Sequence, residues 1–210
     1  MNLNVAILLN GPPGVGKDTL ADILCKDPQF LKMEYKEGLR QATISHFHIH
    51  EFAEYALNLF ADRELKEVSS DLFDGLTPRE ALIHVDTVLK EKHGKSMVGE
   101  WAAKAVQDEI QFNEKNNLVF VFSDSGFEEE ARQVAEMVDL TIVVRLRHND
   151  FNFDNDSRDY VTIESDNILC LDFWVTRNEK MDDQVVAHGD ANYIKSMCAD
   201  KVWEHIRTIK

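Results

Sequence analysis

The sequence predicts one three-layer α/β domain with a mostly parallel sheet and helices on both faces. Two continuous apolar runs, Val5 to Leu9 and Leu118 to Phe122, have the length of buried strands. Segments with helical spacing of apolar residues follow each of them. Strands that alternate with helices favour a parallel sheet, because a parallel pair needs a long crossover. The 210 residues, 44% of them hydrophobic, fit a single domain over positions 1–210.

The first strand leads directly into a glycine-rich segment, Gly11-Pro12-Pro13-Gly14-Val15-Gly16-Lys17-Asp18-Thr19. It matches the P-loop pattern G-x-x-x-x-G-K and precedes a helical pattern, so the predicted domain is a P-loop NTPase fold. Glycines let backbone N–H groups approach phosphates closely, and the helix N-terminus adds partial positive charge. We expect Lys17 to lie on the transferring phosphoryl group of ATP. The expected cradle consists of Gly11, Gly14, Val15, Gly16, Lys17, Asp18 and Thr19.

The residue after the lysine departs from the common pattern, in which a Ser or Thr hydroxyl binds Mg²⁺. Here it is Asp18, and a threonine, Thr19, follows one place later. A carboxylate at position 18 could hold Mg²⁺ directly or through water, or the hydroxyl of Thr19 could take that role. Both residues are therefore predicted to lie near the metal ion.

A long helical region is expected between the second and third strands. A short second strand is predicted within Phe30 to Tyr35, and apolar spacing predicts one helix from Gln41 to Leu65. Thr77-Pro78-Arg79-Glu80 has the pattern of a capping box, so a helix should begin there and run to about Lys92. Another helix is expected from Val98 to Phe112. The region at about 37–112 exceeds what a crossover needs, and in a kinase it would form the acceptor-binding wall.

The second apolar run ends in Ser123 and Asp124. An acid at the carboxyl end of a strand beside a phosphate loop is the expected place for a group that orients Mg²⁺, its waters or the acceptor. The alternative is that Asp124 is only the N-cap of the helix expected at Glu128 to Val138.

The last third of the chain should contain a strand at Leu140 to Leu146, a strand within Ile168 to Val175, and a helix from about Ala191 to Ile209. Between the two strands, at about 147–160, lies a polar segment rich in aspartate. Arg145, Arg147 and Arg158 flank it, which suits a short lid whose arginines fold onto phosphates. The alternative is a surface loop with internal Arg–Asp pairs.

Charge and hydropathy exclude several classes of partner. The formal charge of −15 opposes binding to nucleic acid over most of the surface, so an anionic ligand must be held by locally clustered cations. The apolar runs are too short to cross a membrane, and the N-terminus shows no cleavable leader. A cytoplasmic protein without a membrane partner is expected. The sequence leaves open whether two copies form a homodimer.

Several further segments resemble those of bacteriophage deoxynucleoside monophosphate kinases, a group of P-loop nucleoside monophosphate kinases. They are Gly11 to Asp22, Leu39-Arg40, Asp62 to Glu67, Leu76 to Leu82, Ser123 to Phe127 with Glu130, and Arg145 through Asp156 to Tyr160. The resemblance implies transfer of the γ-phosphoryl group of ATP, with Mg²⁺, to a deoxynucleoside 5′-monophosphate in the cytoplasm, that of the host if the chain is phage-encoded.

The same resemblance implies roles for individual residues. The catalytic set would be Lys17, Asp124 and Arg158, and the acceptor nucleotide would contact Arg40, Arg63, Lys66 and Arg79. Arg145, Arg147 and Arg158 would belong to the lid, and Asn178, with Arg177, would lie at the adenine edge. From the residues alone, Arg63 and Arg79 could equally be solvent-facing helix positions.

One departure from the family pattern keeps other functions open. Many relatives read Asp-x-Arg-Phe after the third strand, whereas this chain has Ser125 and Gly126 in the middle, so one expected cation is missing. A first alternative is a P-loop kinase with a hydroxyl acceptor, such as a hydroxymethyl pyrimidine nucleotide or a small metabolite, with Asp124 as the base. A second is a nucleotide-binding regulatory module without transfer activity.

Overall fold

The computed structural model describes residues 3–113, 117–154, 156–175 and 183–208. Within these ranges five strands form one sheet in which every neighbouring pair is parallel. The strands are β1 (Val5–Asn10), β2 (Phe30–Met33), β3 (Val119–Ser125), β4 (Leu140–Arg147) and β5 (Ile168–Trp174), in the spatial order β2-β3-β1-β4-β5. The predicted parallel α/β architecture is thereby confirmed.

The helices surround this sheet in chain order. They are α1 (Lys17–Leu24), α2 (Lys36–His46), α3 (Ala53–Ala61), α4 (Pro78–His93), α5 (Met97–Phe112), α6 (Glu128–Ala135) and α7 (Asp183–Thr208), with short 3₁₀ helices at His50–Phe52, Leu65–Glu67 and Asp71–Phe73. None of the helices in the described ranges is long and apolar enough to cross a membrane.

Alternate residues along each central strand belong to different cores. In β1, Ala6 and Leu8 join the cluster beneath α5 and α6, whereas Ile7 joins the cluster beneath α1 and α7. This two-residue alternation follows from the strand pleat, which sends successive side chains to opposite faces. The sheet is therefore covered on both faces, and the middle of each central strand is mostly apolar, as parallel strands require.

A third apolar cluster lies within the helical region and away from both sheet faces. It is formed by Ile44, Ile49, Ala56, Leu59, Phe60, Phe73 and Ala81, which come from α2 to α4 and their connections. The region has a small core of its own, so it can hold side chains in fixed positions beside the sheet.

The single helix predicted from Gln41 to Leu65 is wrong, because the chain breaks between α2 and α3. The N–H of Ile49 donates to the carbonyl of Ile44 at 3.1 Å, and that of His48 to Ser45 at 3.2 Å. His48 has a φ of 55°, and Ile44 and Ile49 share the same apolar cluster. These are the features of a Schellman helix end, which here uses a histidine in the left-handed position that usually holds glycine.

The capping box predicted at α4 is present. The hydroxyl of Thr77 accepts from the N–H of Glu80 at 3.1 Å, and the Glu80 carboxylate accepts from the N–H of Thr77 at 2.9 Å. Pro78 opens the helix, and Gly94 ends it with a φ of 96°. The local sequence therefore fixes both ends of the helix that carries Arg79.

Two other helix boundaries differ from the prediction. The helix expected to reach Val138 ends at Ala135, because Met137 already bonds to Val134 in a tight turn before β4 begins. The last helix begins at Asp183, eight residues before the predicted start at Ala191. Apolar spacing locates buried faces, and it says little about where a polar first turn begins.

The strand order places a crevice at the carboxyl ends of β1 and β3. The chain leaves β1 through α1 toward one edge of the sheet, and it leaves β3 through α6 toward the other edge. Two neighbouring strands whose connections run in opposite directions leave a gap between their following segments, and ligands of open α/β sheets bind in such gaps. The glycine-rich segment follows β1 there, and Asp124 lies near the end of β3.

Candidate functional site

The glycine-rich segment forms a tight loop that ends at the first turn of α1. Gly14 and Gly16 have φ values of 81° and 99°, a left-handed conformation that residues with a Cβ rarely adopt. The first N–H groups of a helix have no partner within it. Among the described residues, no acceptor bonds to the backbone N–H of Lys17, Asp18 or Thr19. These donors face the crevice end of the sheet and suit a phosphate.

The remaining loop positions are less open. Val15 is buried, and its N–H donates to the carbonyl of Pro12 at 3.4 Å. A Cβ on Gly11 would stand 2.8 Å from the carbonyl oxygen of Leu146 on β4, so close strand packing requires glycine there. Gly11 and Val15 thus shape the loop from inside.

Lys17 is buried at the base of the loop, with 7% of its surface exposed. Its ammonium group donates to the carbonyls of Gly11 at 2.6 Å and Pro12 at 2.8 Å. Burial, and next the nearby guanidinium of Arg158, lower the pKa of Lys17 to about 8 against an opposing effect of Asp18. A bound anion would favour the charged form of Lys17. The site is therefore suited to bind negative charge.

Asp18 and Thr19 are exposed beside the loop. One carboxylate oxygen of Asp18 accepts from the hydroxyl of Ser123 at 2.7 Å, which joins α1 to the end of β3. Among the described residues no group of three or more His, Cys, Asp or Glu side chains could hold a metal ion. One carboxylate and one hydroxyl fit Mg²⁺ when phosphate oxygens and waters supply the other ligands, which is the usual arrangement for this ion.

Asp124 is engaged with α2 rather than with α6. Its two carboxylate oxygens accept from the backbone N–H groups of Tyr35 at 3.0 Å and Lys36 at 3.1 Å. The carboxylate therefore caps the start of α2 and fixes the helical region against the sheet. The predicted alternative, a cap on the helix at Glu128, names the wrong helix. Each oxygen keeps a further lone pair for water, an ion or a ligand.

A cavity of about 310 Å³ opens beside Asp124, between the sheet end and the helical region. Its polar wall includes the cations Lys36, Arg40, Lys66, Arg79, Lys90 and Arg158, and its apolar wall includes Leu39, Phe60, Leu82, Ile83, Val98 and Phe127. The carboxyl groups of Asp86, Asp124, Glu130 and Asp156 line the same cavity, so the six cations are a local excess in a chain with a formal charge of −15. The cavity has the mixed lining of a site for an anion attached to an apolar ring system.

Three of the four acceptor residues predicted from the sequence lie in this wall: Arg40, Lys66 and Arg79. Arg40 pairs with Glu34 at 2.6 Å, and Arg79 pairs with Glu67 at 3.1 Å. Burial lowers the pKa of Lys66, and the charge of Arg79 adds to the effect. Arg63, the fourth, is exposed and does not line the cavity.

Several cavity residues were not among the predicted ones, notably Lys36, Lys90 and Glu130. Lys36 follows β2 almost at once, so the rule that sites gather at the carboxyl ends of parallel strands could have found it. Glu130 belongs to a segment shared with the resembling family, yet its helical position carried no functional signal. It is 5% exposed, and burial, with the charge of Asp124, raises its pKa to about 8.

Arg158 is associated with both the glycine loop and the cavity. It lines the cavity, and its charge is also the second cause of the lowered pKa of Lys17. Its Nε and one terminal nitrogen donate to the two carboxylate oxygens of Asp156 at 2.8 and 2.6 Å. This bidentate pair lowers the pKa of Asp156 to about 2 and fixes the direction of the guanidinium.

The other two arginines of the predicted lid point elsewhere. Arg145 donates to Thr162 at 3.0 Å and to Asp172 at 2.7 Å, and Arg147 donates to the same carboxylate on β5. The guanidinium of Arg147 also stacks 4.1 Å above the ring of Tyr160. The structure thus separates Arg158 from the pair on β4. Asn178, predicted at the adenine edge, lies outside the described residues.

The segment predicted as a lid is packed against the glycine loop. The described part of 148–160 contains no helix or strand. The ring of Phe151 lies where a Cβ on Gly14 would approach it to 2.9 Å. The buried amide of Asn10 holds the far end of the segment, because it donates to Asp159 and accepts from Val161. The contact of Phe151 with Gly14 and the hydrogen bonds of Asn10 therefore fix the two ends of the segment that carries Arg158.

Comparisons with known proteins add little to this geometry. No protein family and no curated protein matches the chain. A solved structure of a protein from Chloroflexus aurantiacus J-10-fl, described as a candidate kinase, aligns over 93% of this chain and 98% of its own at 14% sequence identity. Its TM-score is 0.43.

Proposed function

We propose that this protein transfers the γ-phosphoryl group of ATP to the phosphate of a deoxynucleoside 5′-monophosphate. The observation that carries the proposal is the junction at Arg158. The glycine loop has N–H groups with no bonded acceptor among the described residues, and Arg158, which lines the cation-bearing cavity, is near enough to lower the pKa of Lys17 at the base of that loop. Two adjoining sites for anions, joined by a positive charge, suit transfer between two phosphate groups.

The glycine loop is the proposed ATP site in a P-loop fold. The N–H groups of Lys17, Asp18 and Thr19 would bind phosphate oxygens, and Lys17 would exchange its loop carbonyls for the β and γ phosphates. Asp18 and Thr19 are the residues available for Mg²⁺, which would neutralise charge on the phosphates. The nucleotide would also replace the hydrogen bonds that Lys17 gives up.

The cation-lined cavity is the proposed acceptor site. Its volume of about 310 Å³ lies at the small end of ligand pockets and fits a mononucleotide. The candidates to bind the acceptor phosphate are Arg40, Lys66 and Arg79, which line the cavity. Lys66 and Arg79 are close together, because the charge of Arg79 lowers the pKa of Lys66. The apolar side chains of the same cavity would enclose the base.

The chemistry needs positioning and positive charge more than proton transfer. A phosphate oxygen of the acceptor is already an anionic nucleophile at neutral pH; it forms a bond to the γ-phosphorus while the bond to the β–γ bridging oxygen breaks. Lys17 and Arg158 would stabilise the charge on the transferring group and on the departing ADP. The closed segment around Phe151 would keep water away.

Asp124 is poorly suited to act as a general base, because its two carboxylate oxygens already accept hydrogen bonds from two backbone N–H groups. The structure therefore gives no specific support to a hydroxyl acceptor, for which a base would help. We assign Asp124 to the positioning of α2 and, through its free lone pairs, of water or acceptor.

The test is an acceptor panel with purified protein, ATP and Mg²⁺. The panel contains the four deoxynucleoside monophosphates, hydroxymethylated pyrimidine nucleotides and small hydroxyl metabolites, and ADP formation is measured. We expect one or more monophosphates to support turnover, and Lys17→Ala to lower kcat by about a hundredfold or more in a folded protein. Turnover that depends on hydroxyl acceptors alone would contradict the proposal, as would ATP binding with no ADP formation across the panel.

A further inference from the structure

The side chain of Arg158 passes through the space that a side chain at position 126 would occupy. An ideal Cβ placed on Gly126 would lie 2.5 Å from both Cγ and Cδ of Arg158, and 2.7 Å from its Cβ. Such distances are far inside van der Waals contact. The two positions therefore compete for one volume at the end of β3.

The backbone does not explain the glycine. Gly126 is not one of the residues with positive φ, so its conformation is open to any L-amino acid. The role of Gly126 is therefore steric: the absence of a side chain leaves room for the aliphatic part of the Arg158 side chain. By contrast, Gly14 and Gly16 are needed for their conformation.

The stem leads the guanidinium to a defined place. Asp156 holds it through two hydrogen bonds, and the electrostatic influence of Arg158 reaches Lys17. The carboxylate of Asp124, which lines the same cavity, also acts on Arg158. A stem displaced by a side chain at position 126 would take the guanidinium out of this junction.

We propose that Gly126 is a positioning residue for phosphoryl transfer, and that positions 126 and 158 are alternative origins for a single guanidinium at the junction of the two anion sites. The inference rests on the proposed function for its catalytic meaning. Its structural content is that an arginine at position 126 can replace Arg158 when the Arg158 side chain is removed, because both start from the same volume.

The first arm of the test compares three single variants. Gly126→Ala adds one methyl group at the crowded point, and Gly189→Ala, where a Cβ would meet nothing within 4 Å, is the matched control. We expect Gly126→Ala to lower kcat and kcat/KM together by about tenfold to a hundredfold, toward the value of Arg158→Ala, because the lost contact is made in the transition state. Gly189→Ala should keep the activity of the unmodified protein. Full activity in folded Gly126→Ala would overturn the inference.

The second arm exchanges the two residues. The double variant Gly126→Arg with Arg158→Ala should turn over at least about tenfold faster than Arg158→Ala alone, whereas Gly126→Arg alone should be impaired by the clash. A role of Gly126 in stability alone would not produce this rescue. No gain over Arg158→Ala would overturn the inference.

A crystal structure of the double variant separates this inference from the proposed function. We expect the introduced guanidinium to lie beside Asp156 and Asp124, whatever reaction the protein catalyses. A guanidinium directed into solvent would refute the shared volume. If the unmodified protein phosphorylates none of the panel, the function fails while the crystallographic result still decides the inference.

Discussion

Burial shifts the pKa of two ionisable residues in the site, Lys17 and Glu130. Lys17 and Glu130 both have a pKa of about 8, although one is a base and the other an acid. Burial disfavours the charged form of each, which lowers the pKa of the lysine and raises that of the glutamate. A phosphate beside Lys17 would restore its charge. Glu130 would stay mostly protonated at neutral pH and could donate a hydrogen bond into the cavity.

This assignment of Glu130 predicts a pH-dependent stability. Between its ordinary pKa of 4.5 and about 8, the folded chain keeps a proton that the unfolded chain has lost, so this group lowers the free energy of unfolding as pH rises through that window. Glu130→Gln removes the effect. The free energy of unfolding of the variant, measured by urea denaturation relative to that of the unmodified protein, should rise by on the order of 2–4 kcal/mol between pH 5 and pH 8.

Glu129→Gln is the control for that comparison, because Glu129 lies next to Glu130 on α6 but is exposed. Its stability relative to the unmodified protein should change little across the same pH range. A Glu130→Gln variant whose advantage is the same at pH 5 and pH 8 would show that Glu130 is ionised in the folded protein.

The elements near the site owe their positions to helix ends. Asp124 caps α2 from β3, a capping box starts α4, and a Schellman turn at His48 separates α2 from α3. The first two place cavity residues: Lys36 and Arg40 on α2, and Arg79 on α4. The helical region is thus oriented by its ends, and its own small core holds it together.

The turn at His48 predicts a stabilising substitution. His48 has a φ of 55°, where an L-residue with a Cβ pays about 1 kcal/mol that glycine does not. His48→Gly should therefore raise the free energy of unfolding by roughly 0.5–1 kcal/mol, measured by urea denaturation. His46→Gly, two residues earlier within α2, is the control and should lower it by about the same amount. Destabilisation by His48→Gly would contradict the left-handed turn.

The sequence predicted the strands and most helices because apolar spacing reports which face is buried. It predicted the ends of α4, since a capping box and a glycine are local signals. It missed the break between α2 and α3, because that turn depends on a contact between Ile44 and Ile49 rather than on a glycine or proline. The alternative given for Asp124, a cap on the helix at Glu128, named the wrong helix, since a cap supplied from a distant strand leaves no local pattern.

The chain carries a formal charge of −15, and among its described residues six cations line one cavity. Sequence reasoning could find the glycine loop, because its chemistry lies in consecutive residues. The family resemblance pointed to Arg40, Lys66 and Arg79, which line the cavity, but it did not point to Lys36 or to a role for Glu130, whose convergence there depends on how α2 and α6 pack. It grouped Arg145 and Arg147 with Arg158, whereas Asp172 on β5 holds the first two.

At the scale of the whole molecule, the central claim is that the glycine loop and the cavity bind two nucleotides with their phosphates facing each other across Arg158. It predicts that one ligand can occupy both sites. Adenosine joined through five phosphates to a deoxynucleoside has the required parts, and linked binding of this kind commonly gains about a hundredfold or more.

Isothermal titration calorimetry with four such analogues, one for each deoxynucleoside, tests the claim most directly. We expect at least one to bind about a hundredfold tighter than ATP, and to lose that advantage in Lys17→Ala and in Lys66→Ala alike. Arg63→Ala, outside the cavity, should keep it. If every analogue binds no tighter than ATP, or if Lys66→Ala leaves the affinity of the tightest one unchanged, the two sites do not form one active centre.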